Sequence, residues 1–313
     1  MATRDLVVGM TFLLQTVIGV LGNFSLLYHH LFLHFTGYRL RPTDLIVINL
    51  IVANCLVLFP TGIHYTMLSF GQYHHLHDFG CKFFPYLRGV GRGVSIGTTC
   101  LLSVFQAITI SPTNSRWAEL KVKAPKYIVF SIFLCWVLQM LVNVVAPILM
   151  SSNLSNKNIT DRMWLGFCSR LYPDKTKDSL YAVLLTSPDV VCFLLMLWAS
   201  GSMVFVLHRH KQRVRHVHRT PVSSRSSPES RATKTILLLV STFVFFNTLS
   251  SIFLIIISIL NNPSLFLPDT YVLITLCFPT VSPFLLMSRD SSVSRLSFAW
   301  ISNVKSPNLM GNT

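Results

Sequence analysis

Seven apolar runs, each about 20 residues long and joined by short connections, leave this chain few ways to fold. They cover about Leu6 to Tyr28, Leu45 to Tyr65, Phe83 to Ile108, Tyr127 to Met150, Leu180 to Leu207, Thr235 to Leu260 and Thr270 to Met287. Coiled as an α-helix, a run of that length crosses the roughly 30 Å hydrocarbon layer of a bilayer. Lipid offers no partner for backbone N–H and C=O groups, so a spanning segment must satisfy them within itself. Composition points the same way: the chain is 51% hydrophobic and only 12% charged, about half the charge of an ordinary soluble domain. The expected fold is an all-α membrane protein, a bundle of seven transmembrane helices forming one domain over residues 1–313, with a short tail at 289–313. No connection is long enough to hold a soluble domain. The first run follows Arg4, but it exceeds the 7–15 residues of a signal-peptide core and reads as a retained helix.

Orientation follows from the placement of the basic residues. A net charge of +15 in a soluble protein would suggest nucleic acid; in a membrane protein the side on which the charges fall carries the meaning. With the N-terminus outside, seventeen of the 26 Lys and Arg lie on the cytoplasmic side, among them Arg39, Arg41, Arg116, Lys121, Arg213, Arg231 and Lys234. Seven lie outside, and Arg88 and Arg92 fall within the third span. Lys and Arg accumulate on the cytoplasmic side, so the expected arrangement is a multi-pass plasma-membrane protein with the N-terminus out and the C-terminus in, membrane lipid its obligatory partner and nucleic acid not one.

Two glycosylation sequons agree. Asn153-Leu154-Ser155 and Asn158-Ile159-Thr160 both lie between spans four and five, a connection that this topology puts outside. Asn158 is the better acceptor, because Asn153 lies closer to the membrane end of span four. Cys81 opens span three and Cys168 lies in that same outer connection, so both are in oxidising space, where a disulfide persists. The expected Cys81–Cys168 bond would contribute up to about 4–5 kcal/mol by chain entropy; the alternative is two free thiols. The other five cysteines sit inside apolar runs, as small hydrophobes.

Charge inside a span is costly, about 2.5–3.5 kcal/mol at the bilayer centre, and such groups face the bundle interior. Arg88 and Arg92 lie one helical turn apart on span three, and Asp189, beside Pro188, is in span five. An Arg–Asp pair between these spans would offset both insertion costs and could also hold a polar ligand group. Gly89, Gly91, Gly93 and Gly97 stud span three, where small residues allow close helix approach. His74, His75, His77 and Asp78 cluster in the first outer connection and read as a solvated loop rather than a metal site. No nucleophile–base motif, P-loop or zinc-protease helix is present, so neither an enzyme nor a cofactor is expected. A channel or transporter would call for internal repeats or broken, ion-lined helices.

Local motifs carry a resemblance. Gly22-Asn23 and Asn49-Leu50-Ile51-Val52-Ala53-Asn54 are similar to motifs of rhodopsin-like G-protein-coupled receptors, with Asn54 where most have aspartate. The strings GVGRGVSIGTTCLLSVFQAITISPTNSRWAELKVKAPK from Gly89 to Lys126, HRHKQRVRHVHRTPVSSRSSPESRATKTILLLVSTFV from His208 to Val244 and CFPTVSPFLLMS from Cys277 to Ser288 closely resemble vomeronasal type 1 receptors, the family of pheromone receptors. The likeness runs essentially the whole chain. Gln106 stands where the broader class has the arginine of Asp-Arg-Tyr, Ser282-Pro283 where it has Asn-Pro, and Asn247 where this family is expected to have tyrosine.

The resemblance implies a chemosensory receptor that takes a small pheromone- or odorant-like ligand in an outer cavity and activates a heterotrimeric G protein of the inhibitory class. Arg88 then occupies a third-helix position that many receptors use for ligand, with Arg92 and Asp189 as further candidates. Gln106, Arg116, Trp117, Lys121, Arg213, Arg231 and Lys234 become candidates to face the G protein. A bitter-taste-like receptor, or a receptor that is made but inert, shares the architecture.

Overall fold

The computed structural model describes residues 3–37, 41–71, 78–111, 118–151, 169–170, 175–217, 228–259 and 266–289. Among them are helices α1 (Thr3–Phe35), α2 (Pro42–Ser69), α3 (Asp78–Ile110), α4 (Ala118–Asn143), α5 (Val145–Leu149), α6 (Lys175–Val217), α7 (Pro228–Ile259) and α8 (Phe266–Arg289). Met150–Ser151 and Ser169–Arg170 form a minimal antiparallel ladder. All the helices except the five-residue α5 are long and apolar enough to cross a membrane.

Several helices outrun the apolar stretches that signal them. α6 holds 43 residues, about 65 Å at the α-helical rise, so it continues well past the hydrocarbon layer. The fourth helix differs in the other direction: it starts at Ala118 and stops at Asn143, short of the Met150 expected from hydropathy. Pro147 explains the stop, since it has no N–H to give the carbonyl four residues back, and the chain re-forms a single turn as α5. At α2 the ends are chemically marked. The Arg41 backbone N–H donates to Asp44 Oδ2 at 2.8 Å and Pro42 takes the first helical position. Gly71, at φ +75, ends the helix in the left-handed conformation that glycine adopts without strain.

The helices run alternately up and down and close into a ring. α1 lies antiparallel to α2, with Gly9 against Ser69 and Phe70 and Gly19 against Leu58. α2 meets α3 where Gly91 abuts the Ala53 carbonyl and Leu56. α3 meets α4 along a strip in which Gly89, Gly93 and Gly97 receive Asn143, Gln139 and Cys135 in turn, the close approach expected of small residues in lipid. α8 returns beside α1, where Gln15 Nε2 donates to the Leu273 carbonyl at 3.0 Å. α2 and α3 are the most enclosed spans. Phe243 of α7 anchors the main core, edge-on to Phe278 of α8 at 4.7 Å and tilted against Phe193 of α6 at 5.8 Å. Asn247, one turn further, returns its Nδ2 to the Phe243 carbonyl at 2.9 Å, so the departure from tyrosine leaves that amide group bonded within α7. Around the outside, Leu14, Leu21, Phe130, Phe133, Leu194 and Phe205 are exposed, a surface suited to lipid tails and not to water.

A polar knot crosses this apolar core. Pro283 cannot donate to the carbonyl of Pro279, one turn back; Asn23 Nδ2 fills that vacancy at 2.9 Å. Asn54 Nδ2 donates to Ser282 Oγ at 2.9 Å and to Asn23 Oδ1 at 3.3 Å, and Ser95 Oγ donates to Asn54 Oδ1 at 3.2 Å. Four helices, α1, α2, α3 and α8, thus share one network built from neutral side chains. Gly22, packed against Pro283 and Phe284, gives α1 the approach that Asn23 needs. Trp136 of α4 binds α2 nearby, donating Nε1–H to Asn49 Oδ1 at 2.9 Å.

Candidate functional site

Polar and charged side chains gather at the end of the bundle where α1, α3 and α8 begin. Arg92 of α3 and Asp189 of α6 form an ion pair, Nη1 to Oδ2 at 3.2 Å, with the aspartate side chain 10% exposed and the arginine side chain 37%. Of the two arginines that could serve Asp189, the deeper one takes it. Arg88, one turn nearer the bundle end, turns to α2 and lies within reach of the Tyr65 hydroxyl. Two arginines on one helix face therefore part company: four residues advance the helix about 40° beyond a full turn, and their long side chains carry the divergence to different neighbours. Asp269 and Tyr271, at the start of α8, lie within electrostatic range of the same hydroxyl. Tyr65 itself packs on Phe12 of α1 at 5.2 Å.

His64 is the member of this cluster that sequence reading passes over. It is 5% exposed and lies edge-on to Tyr65 at 5.2 Å and to Phe84 of α3 at 6.3 Å. The signal is present in the sequence: an ionisable side chain inside the run from Leu45 to Tyr65 is itself a mark of an interior polar site. By contrast, the groove between α1 and α2 lined by Phe24, Leu27, Val52, Leu56, Phe59 and Pro60 is wholly apolar and offers nothing to orient a polar head.

At the opposite end lies Gln106 of α3. It is 6% exposed, and its Nε2 donates to Thr233 Oγ1 of α7 at 3.3 Å. A neutral amide can be buried with one partner where a charged arginine could not, and here it ties α3 to α7 at this end of the bundle. Lys234, the next residue along α7, is exposed at that end. The helices also carry Cys81, Lys121, Arg213 and Arg231, whose side chains lie outside the described residues, as do Cys168, Asn153, Asn158, Arg116 and Trp117 entirely. Among the described residues no group of three or more His, Cys, Asp or Glu side chains is placed to hold a metal ion.

A closed ring of seven apolar helices with polar groups enclosed at one end is the architecture of G-protein-coupled receptors. The sequence profile of the vomeronasal organ pheromone receptor family matches residues 6–299. Vomeronasal type-1 receptor 4 of Homo sapiens is 55% identical over 300 residues, covering 96% of this chain and 99% of its own. Vomeronasal type-1 receptor 3 of Homo sapiens is 50% identical over 301 residues, 96% of each chain, and olfactory receptor class A-like protein 1 of Danio rerio is 31% identical over 284 residues, 90% of this chain and 89% of its own. The chain belongs to the vomeronasal organ pheromone receptor family and is a multi-pass membrane protein.

Proposed function

We propose that this chain is a chemosensory receptor which binds a small pheromone- or odorant-like molecule at the end of the bundle holding Arg88, Arg92 and Asp189, and activates a heterotrimeric G protein of the inhibitory class at the other. The observation that carries the proposal is the family likeness, which runs from residue 6 to 299 and so includes both ends of the bundle. The polar cluster is supporting: Arg92 and Asp189 neutralise each other, whereas the Arg88 guanidinium, with a phenol for its partner, keeps a charge to offer. In this reading the amino-terminal end is extracellular, Cys81 and Cys168 are joined, Asn158 and Asn153 carry glycans, and Arg116, Trp117, Lys121, Arg213, Arg231 and Lys234 border the G-protein surface.

Gln106 enters only after activation. Buried under α7 in this conformation, it meets a G protein once α7 swings off α3 and the bond to Thr233 opens. A two-state bundle of this kind transmits ligand binding by differential affinity for the two arrangements.

The test is a G-protein activation assay in cells expressing the full chain, run against volatile and steroidal compounds. A saturable response, lost in Cys81→Ser and weakened in Arg88→Ala at unchanged surface level, is expected. Arg88→Ala protein that is lost from the surface in proportion to its lost response would assign that residue to folding instead.

A further inference from the structure

The outer half of α2 carries an unfilled polar site. Among the described residues, both ring nitrogens of His64 and the Oγ1 of Thr61 are buried without a hydrogen-bond partner, and the two residues are 5% and 2% exposed. Three residues apart, they share one face of α2. Buried polar atoms are nearly always satisfied, since an orphaned donor or acceptor forfeits its hydration with nothing in return. Two neighbouring orphans on one face thus point to a partner that the described residues do not themselves provide. The contrast with the middle of the bundle is sharp: the Asn23–Asn54–Ser95–Ser282 knot leaves none of its four members unbonded.

The surroundings define the chemistry of that partner. Arg88 lies within electrostatic range of both His64 and Tyr65, and the rings packed on His64 are Tyr65 and Phe84. Thr61, Tyr65, His64 and Arg88 can all donate a hydrogen bond, and the ion pair described above uses Arg92. A cationic head would be repelled by Arg88, which acts on both His64 and Tyr65, while the one carboxylate in electrostatic range among the described residues, Asp269 at the start of α8, acts on the Tyr65 hydroxyl more weakly than Arg88 does. We propose that His64 and Thr61, with Arg88 and Tyr65 beside them, form a subsite between α2 and α3 that receives an acceptor oxygen, carbonyl or carboxylate, of an otherwise apolar ligand. The subsite deepens the receptor reading above and rests on it for the claim that small molecules enter this end of the bundle.

Purified full-length receptor in detergent provides a readout that needs no G protein. Cyclohexanone, cyclohexanecarboxylate, cyclohexylammonium and methylcyclohexane are compared for the rise each gives in unfolding temperature, because a compound that binds the folded state alone stabilises it by mass action. The ketone and the carboxylate raise the temperature, and the ammonium and the hydrocarbon do not. His64→Leu, which replaces an unsatisfied ring by an apolar side chain, leaves the ligand-free protein no less stable and weakens the response to both oxygen compounds about tenfold. Thr61→Val, nearly isosteric, weakens it several-fold and guards against a folding defect in the first variant. Equal responses to all four compounds, no response to any, or responses that survive both substitutions overturn the subsite and assign the orphaned atoms to internal water. Stabilisation through His64 without any G-protein signal in cells would instead refute the receptor reading and leave the subsite standing; a signal indifferent to His64 and Thr61 does the reverse.

Discussion

Substituting Gly91 by alanine puts a methyl group where α2 and α3 touch backbone to side chain. The added Cβ would stand 2.8 Å from the Ala53 carbonyl oxygen and 2.8 Å from Leu56 Cβ, against the 3.4 Å at which ordinary contact begins. The shortfall is thus about 0.6 Å, and a backbone carbonyl inside a helix cannot swing aside to relieve it. The two helices have to separate by that amount or one must shift along its axis. Overpacking of this kind costs about 1–3 kcal/mol. Separation also stretches the Ser95–Asn54 bond, now 3.2 Å, to a length at which it no longer counts as a hydrogen bond, forfeiting about 0.5–1.5 kcal/mol more. The expected loss is about 1.5–4.5 kcal/mol, the sum of those two costs, measured as the unfolding free energy of purified receptor in detergent and mirrored by a smaller cell-surface fraction. Two other glycines calibrate it. Gly93→Ala also clashes, but with the end of the Gln139 side chain, which can rotate away, so about 1 kcal/mol is expected. Gly201 has nothing within 4 Å, and Gly201→Ala should be neutral or stabilise by up to about 1 kcal/mol through helix propensity. A Gly91→Ala receptor as stable as the Gly201→Ala receptor would refute the claim that α2 and α3 are held at this distance by the missing side chain.

Asn23→Leu should cost about 1–3 kcal/mol by orphaning the Pro279 carbonyl, and adding Pro283→Ala, whose N–H can reach that carbonyl, should restore part of it in the same unfolding measurement. Asp189→Asn should destabilise by about 1–3 kcal/mol, the lower end being set by the solvent that reaches Arg92, with Arg92→Gln recovering some of the loss in the double variant; additive losses would mean the two do not act as a pair. Gln106→Ala and Thr233→Val should each raise ligand-free G-protein signalling about two- to tenfold, the population shift equal to one neutral hydrogen bond, and unchanged basal signalling in both would remove that bond from any gating role.

What the sequence makes legible here follows from which solvent does the selecting. Lipid imposes a length and an apolarity on each span that can be counted residue by residue, so seven helices emerge from hydropathy alone, with errors at ends such as Asn143, where one proline outweighs a run of hydrophobes. Relations between helices are not written in periodicity. Gly22-Asn23 and Ser282-Pro283 are recognisable separately as receptor motifs, yet nothing local says that Asn23 repairs the carbonyl that Pro283 abandons, because Asn23 and Pro279 are 256 residues apart. The same limit decides the ion pair. Arg88 and Arg92 are chemically identical, one turn apart and on one face; only the depth of Asp189 in α6 distinguishes them. Once Arg92 is assigned to Asp189, Arg88 is left to α2, and the polar centre of this end of the bundle moves from the α3–α6 side, where the charges draw attention, to the α2–α3 side, where a histidine and a threonine have no partner among the described residues. Charge marks the part of such a cluster that is easiest to see, whereas unmet hydrogen-bonding capacity marks the part that the proposed ligand would use.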